Sequence, residues 1–467
     1  MKRSFEIDMC NGPLLGKILL FAVPLMLSGI LQLLFNAADI VVVGQFSGND
    51  ALAAVGSTGS LNNLIVNVFM GLSIGTSIMV AHYYGAQEWK DVHEVVHTSM
   101  LVSAICGVIL IVVGGLLAAP LLELMGTPSN VLDQAVLYMR IIFAGMPALM
   151  IYNFGAAILR AVGDTRRPLI FLLIAGIINV LLNLFFVIVF RMGVAGVALA
   201  TILSQCVSAV LVVICLVRSD GPYQLHFRQL RIRKDKLLQI TRVGLPAGIQ
   251  GAVFSVSNVL IQSSINSFGS LAMAGNTAAG NLEGFVYTSM NSFYQASLSF
   301  TSQNVGAGKW KRIPRILLLC LGSVSVVGLV MGGAMVLFSR PLLGIYSGDP
   351  VVVQYGVDRL AVICTLYFLC GTMDVTCGSI RGLGSSIIPT VVSLAGACGL
   401  RILWIFTIFA AKHTLFCLYL SYPITWSVTF AAHLICFFLF LRWKKRQAAV
   451  VRTEEEMACV LPETAEV

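Results

Sequence analysis

Charge is what this chain has least of. Asp, Glu, Lys and Arg together make up 11% of its 467 residues, against about 25% in a soluble domain. Hydrophobic residues reach 58% and mean hydropathy is +0.90. A water-soluble fold of this size would leave too much apolar surface in water, so the bilayer is the natural solvent. Energy-coupling signatures are missing too. No G-x-x-x-x-G-K-[ST] run occurs, Gly308-Lys309-Trp310 lacks the hydroxyl residue, and no soluble stretch is long enough to be an ATPase. The drive must then be an ion gradient. No nucleophilic triad or nucleotide-binding glycine loop appears, since Gly382-Leu383-Gly384 follows no strand, and no enzyme is expected. The 12 cysteines form no C-x-x-C and sit mostly in apolar segments (Cys106, Cys206, Cys320, Cys364, Cys436), where cysteine packs as a small hydrophobe. The six histidines are scattered, and none is assigned a ligand role. No cofactor is expected. The polar start from Met1 to Asn11 leads into an apolar run without a small-residue cleavage site, so the first hydrophobic segment is expected to remain as a helix.

What is present is a series of apolar runs, each near the roughly 20 residues that a spanning helix needs. They predict an all-α integral membrane protein with twelve transmembrane helices in two pseudo-symmetric six-helix bundles. The expected spans are 14–42, 51–82, 94–118, 135–160, 168–190 and 193–217, then 243–268, 272–303, 314–338, 355–380, 388–410 and 417–441. The chain divides into an N-terminal bundle over 1–217, a basic linker over 218–242 (Arg228, Arg231, Arg233, Lys234, Lys236), a C-terminal bundle over 243–441 and a tail over 442–467. The tail beyond Arg446, with Glu454, Glu455 and Glu456, reads as disordered. With both termini in the cytoplasm of a multi-pass cell-membrane protein, 24 of the 30 basic residues fall on inner segments. Arg140, Arg191, Arg340, Arg359, Arg401 and Lys412 remain for outer loops and helices. That bias is the positive-inside signal. The net charge of +9 therefore needs no nucleic-acid partner, and the bilayer is the partner it implies.

The two halves repeat at an offset of 221 or 222 residues. Val23-Pro24 matches Leu245-Pro246, Asn36 matches Asn258, and Gly85-Ala86-Gln87-Glu88-Trp89-Lys90 matches Gly306-Ala307-Gly308-Lys309-Trp310-Lys311. Pro120-Leu121-Leu122 matches Pro341-Leu342-Leu343, and Arg160, Gly163 and Pro168 match Arg381, Gly384 and Pro389. Six is even, so the copies run parallel about a pseudo-twofold along the membrane normal. Proteins so built hold substrate between their bundles and rock them.

The six-plus-six layout, Pro24 followed by Asp39, the Gly85-Ala86-Gln87 loop and the run Arg160-Ala161-Val162-Gly163-Asp164-Thr165 with Pro168 resemble the multidrug and toxic compound extrusion (MATE) family. Arg381-Gly382-Leu383-Gly384 is the second-half counterpart. The resemblance spans nearly the whole chain. It implies an antiporter that exports cationic or amphipathic organic compounds in exchange for H⁺ or Na⁺ by alternating access. The wider superfamily also contains flippases for lipid-linked precursors, which often carry a cationic central cavity, whereas few interior arginines are expected here. The protein is expected to act as a monomer.

Ionisable groups in the membrane interior cost at least about 2.5–3.5 kcal/mol and point to function. Asp39, Asp374 and Arg401 are three such groups. The resemblance places Asp39 in an ion-coupling cluster whose matching positions here are Asn179, Asn183 and Thr201. Asn179 and Asn183 stand four apart and share a helix face. One carboxylate with amide and hydroxyl oxygens suits Na⁺ or a protonatable aspartate. Some relatives carry Asp where this chain has Asn183, which leaves the choice of ion open. Pro24 removes a backbone hydrogen bond and allows helix 1 to bend. Asp374 and Arg401 are expected to pair, either as a lock between helices 10 and 11 or in transport. Gln32, Phe35, Tyr287, Met290 and Tyr294 offer a substrate wall, with packing as the competing role. Gly71-x-x-x-Gly75 permits close helix contact.

Overall fold

The computed structural model describes residues 5–125 and 127–460. Lys2 and Arg3 of the charge bias, and residues 461–467 of the tail, lie outside them. Among the described residues, and apart from a six-residue helix at Ser339–Gly344, twelve helical segments succeed one another: α1 Leu14–Phe46, α2 Asn49–Ala86, α3 Trp89–Leu124, α4 Ser129–Ala144 with Met146–Ala161, α5 Arg166–Val189 and α6 Gly193–Val217. The second half supplies α7 Lys234–Asn266, α8 Ser270–Gly306, α9 Ile313–Leu337, α10 Pro350–Leu366 with Phe368–Gly382, α11 Ile387–Phe409 and α12 Leu415–Val460. Among the described residues, nine are long and apolar enough to cross a membrane singly, and the bent pairs of α4 (47°) and α10 (45°) bring the number to eleven. The twelfth, α8, is too rich in Ser, Asn and Gln to pass on hydropathy. It tolerates that polarity because it is the most enclosed helix, with Ser289 through Asn304 almost wholly buried by protein.

The repeat is written into the backbone. Gly48 and Gly269, Gln87 and Gly308, and Gly163 and Gly384 all have positive φ, each pair 221 residues apart. At Gly163 a side chain would collide with the backbone of Ile7, so both the left-handed turn and the close approach favour glycine there. The two bent spans also correspond.

Two departures from the sequence expectation concern helix ends. α7 begins at Lys234, inside the segment expected as linker. α12 continues through Val460 instead of giving way to disorder at Arg446. Residues 447–460 are mostly good helix formers, with no Gly or Pro to interrupt them, and extending an existing helix needs no new nucleus.

Each half has its own apolar core. Their first helices cross over. Ile18, Phe21 and Ala22 at the start of α1 pack in the second half's core, with Phe21 edge-on to Phe300 at 5.7 Å. Ile240 at the start of α7 packs in the first half's core. The halves meet along α2 and α7, where Gly71 and Gly75 lie backbone against backbone with Gly244 and Gly248. Any Cβ on this seam would strike main-chain atoms, so its glycines set the distance between the halves.

Candidate functional site: a sealed cleft between the halves

Two cavities lie between the bundles. One, of about 460 Å³, is walled by α1, α4, α5, α6 and α8; the other, of about 570 Å³, by α2, α7, α8, α10, α11 and α12. Met70, Tyr287, Asn291 and Gln295 line both, so the two form one cleft pinched at these side chains.

The cleft is closed at the end that carries the N-terminus. Among the described residues, the hydrogen bonds that join the halves across the cleft cluster there. Gln303 donates to the Ala161 carbonyl (2.6 Å), Ser302 to the Ile78 carbonyl (2.7 Å) and Tyr83 to Gln239 (2.7 Å). Lys236 of α7 pairs with Asp91 of α3. Gly85 and Gly306, equivalent in the repeat, bring the ends of α2 and α8 into backbone contact. The segment before α1 straps across this seam. Glu6 accepts from Tyr223 (2.6 Å) and Tyr84 (3.0 Å), while the Met9 and Cys10 carbonyls accept from Asn304 and Lys309, each at 3.1 Å.

In the first-half cavity, Asp39 of α1 faces α5 and α6. Asn183 donates its amide to Asp39 and also to Asn179 (3.3 Å), and Asn179 donates to Thr201 (3.5 Å). The four residues named from sequence are thus contiguous. The Asn183 Oδ1 is buried with no partner among the described residues, leaving an acceptor beside the carboxylate. The donor set is oxygen throughout, which fits a hard cation or a shared proton. Gln32 and Phe35 line the same cavity, and a Cβ on Gly176 would fall on the Phe35 ring, so that glycine makes room for it. α1 runs unbroken through Pro24, so the bend expected there is not a break in this state.

The second-half cavity departs from expectation. Asp374 and Arg401 both line it but do not form an ion pair. Asp374 lies against Tyr287 and in the field of Arg381. Arg401 donates to Thr425 (3.2 Å) and lies over the Tyr422 ring at 4.3 Å, both on α12. The expectation read α11 as a regular helix, whereas it holds a π-turn over Leu394–Gly399 just before Arg401. A π-turn adds a residue to the turn and rotates the helix face beyond it. The buried pair that exists is Arg359 with Glu283, two-pronged at 2.7 and 2.8 Å and supported by Asn276 at 3.2 Å. Charge counting leaves Arg359 for outer loops and helices, without a partner. Arg160 and Arg381, counted among inner segments, are on the cleft wall. Arg381 is held by Tyr294 (2.6 Å) and Gln250 (2.8 Å). Tyr287 and Tyr294 face the cleft as expected, but Met290 does not: it is 2% exposed and packs against Gly328 and Gly371 in the second-half core. At about 100° per residue, Tyr287, Asn291 and Tyr294 share a narrow stripe that leaves Met290 at its edge.

Three of the histidines are not scattered. The ring nitrogens of His93, His97 and His226 lie within 4.8 Å of one another. His97 is already engaged at both nitrogens, by the His93 carbonyl (2.7 Å) and the His226 backbone N–H (3.0 Å). The trio fastens the linker to α3.

The MatE family model matches this chain twice, over residues 24–185 and 246–407. The second match starts 222 residues after the first, the offset of the internal repeat. The probable multidrug resistance protein YoeA of Bacillus subtilis (strain 168) is 28% identical over 92% of this chain and 94% of its own length. An FAD transporter of Shewanella oneidensis is 26% identical over 73% of this chain and 76% of its own. In fold, an outward-facing multidrug resistance MATE transporter of the MOP superfamily superposes with a TM-score of 0.88 at 22% identity, covering 96% of this chain and all of that one. Twelve membrane helices in two repeated bundles, with a polar cleft between them, are the architecture of the family to which this chain belongs, the multidrug and toxic compound extrusion family of efflux transporters.

Proposed function

We propose that this protein exports amphipathic organic compounds, cations among them, across the cell membrane by alternating access, in exchange for H⁺ or Na⁺ taken up at Asp39, Asn179, Asn183 and Thr201. The observation that carries this reading is the cleft itself, an intramembrane space reaching both bundles and sealed at one end by hydrogen bonds and a glycine seam. The positive-inside bias makes the sealed end cytoplasmic, with both termini inside and the cleft open to the exterior. Opening the seal while closing the far end would present the cleft to the cytoplasm. No catalytic step and no cofactor is part of this reading, and a single chain encloses the whole cleft.

The Asp39 cluster supplies the coupling. Its carboxylate, with the unpartnered Asn183 oxygen beside it, exchanges its bonds when a proton or Na⁺ arrives. Names among the relatives range from multidrug resistance to FAD, which favours a cleft tolerant of large aromatic bodies over a tailored pocket. The test is efflux of a fluorescent cation from proteoliposomes, with H⁺ and Na⁺ gradients imposed separately. Efflux under neither gradient would refute the reading. The flippase reading gains one observation, the arginines Arg160, Arg381 and Arg401 on the cleft wall. Translocation of a fluorescent lipid-linked pyrophosphate without efflux of the cation would favour it.

A further inference from the structure

The ionisable side chains on the cleft wall include Asp39, Asp374, Arg160, Arg381 and Arg401, three cations against two carboxylates. A path used only by cations would be expected to carry the opposite balance. In the second half each other buried arginine has its counter-charge. Arg359 is clamped by Glu283. Arg381 has Asp374 in its field and two neutral acceptors on its guanidinium. Among the described residues, Arg401 is the exception in the second half, while on the first-half wall Arg160 is likewise without an ion pair, with its Nε buried and unpartnered. Arg401 is 3% exposed, has no carboxylate within ion-pair distance, and gives one of its N–H groups to Thr425. Its Nε is buried with no partner. A guanidinium carries five N–H donors in a rigid fork that matches a carboxylate or phosphate, and leaving such a charge uncompensated away from water is costly. Here one face of the plane is covered by Tyr422, which holds the fork in place. The cavity it lines also has Tyr367 and Trp426 stacked at 5.2 Å, a flat apolar wall for an aromatic body. Its volume, about 570 Å³, is in the range of small-molecule sites.

We infer that Arg401 is an anion-binding residue of the substrate path, and that the compounds this protein prefers join an aromatic body to a carboxylate or phosphate. The inference rests on the cleft being the path of the exported compound. The anionic group docks on Arg401, and the ring system lies along Tyr367 and Trp426.

Rhodamine B and its methyl ester test this directly, because they share one cationic ring system and differ in a single free carboxylate. Binding is measured by fluorescence anisotropy with the purified full chain in detergent, with no gradient applied and empty micelles as the blank. Charge-assisted hydrogen bonds to one guanidinium correspond to about tenfold to a hundredfold tighter binding of the acid. Arg401→Gln should abolish that preference by weakening the acid, with the ester bound no more weakly than before, and Arg401→Lys should restore part of it. Equal binding of acid and ester by the unaltered protein overturns the inference whether or not the variants fold. So does a preference that survives in Arg401→Gln. Displacement of rhodamine B by dispersed phosphatidylglycerol at equal concentration, but not by an aromatic carboxylate, would also overturn it and assign the arginine to a lipid headgroup. Binding needs no ion gradient, so a failure here leaves ion-coupled export standing, and absent efflux leaves the binding result intact.

Discussion

The side-chain amide of Gln303 reaches 2.6 Å to the carbonyl oxygen of Ala161, and both residues are buried. This bond ties the end of α8 to the end of α4, one from each half. Neighbouring Ser302 makes a second tie to Ile78, and Cys10 of the N-terminal strap rests its Sγ 3.6 Å from the Gln303 carbonyl. Replacing Gln303 with Leu removes the donor and leaves the Ala161 carbonyl buried without it, a loss of about 1–3 kcal/mol from the sealed state. Maleimide labelling of a variant whose sole cysteine is Cys10 should rise several-fold in the Gln303→Leu background. Unchanged labelling would mean that other contacts hold the seal.

The glycine seam gives a second expectation. A Cβ at Gly71 would strike the backbone of Gly244 and Gly248, whereas one at Gly56, on the same helix, meets nothing within 4 Å. Gly56→Ala should therefore be silent. Gly71→Ala should lower thermal stability by the roughly 1–3 kcal/mol typical of overpacking, and should reduce disulfide cross-linking between cysteines placed on α2 and α7. Equal melting temperatures for the two variants would show that the seam yields.

Glu283 and Arg359 form the buried ion pair that the sequence suggests for Asp374 and Arg401. Breaking a buried ion pair on one side leaves the other charge uncompensated, at about 3–5 kcal/mol, while replacing both members with apolar residues costs far less. Glu283→Gln should destabilise strongly, and Glu283→Met with Arg359→Met should recover much of the loss. Thermal melts of the two single variants and the double variant form a cycle, and simple additivity would argue against the pairing.

The helix count, the two halves and their register were legible because hydropathy and an internal repeat report on the same architecture independently. α8 is the instructive span: its polar composition hides it from hydropathy, but its position in the repeat requires it. The Asp39 neighbourhood was legible through likeness to a family, with Asn179 and Asn183 spaced to share a face. What the sequence could not reveal lies in geometry. Arg401, which follows a π-turn, bonds Thr425 of α12 and not Asp374. Arg160 and Arg381 sit near helix ends, where charge counting assigns them to inner segments, yet both turn into the cleft. Periodicity marks an apolar face at the start of α1 but does not name the other half's core as its partner.

Asp39 carries the last expectation. Its carboxylate takes the Asn183 amide, and Asn183 in turn reaches Asn179 and, through it, Thr201, so three helices converge on one titratable group. Binding a proton or Na⁺ removes the carboxylate's need for that amide and alters what α1 must bond. α1 spans both cores, with Ile18 and Phe21 in the second half's and Val42 and Val43 in the first half's, and Pro24 lies between them with one backbone bond missing. A change at Asp39 is therefore placed to move one half relative to the other. Under the proposed exchange, ion and substrate binding oppose each other through α1, and by linkage each weakens the other by the same factor. Asp39→Asn keeps the shape and abolishes the charge change. It should fold with a melting temperature close to the unaltered protein, bind a fluorescent substrate within about threefold, and lose gradient-driven efflux at least about tenfold, the smallest loss that sets it apart from a weakened hydrogen bond worth about 1 kcal/mol. Asn179→Ala, Asn183→Ala and Thr201→Ala should each weaken the ion dependence more mildly, since each removes one oxygen and leaves the carboxylate. Full efflux with an unchanged ion dependence in Asp39→Asn would remove the coupling role from Asp39 and pass it to Asp374, the other carboxylate on the cleft wall.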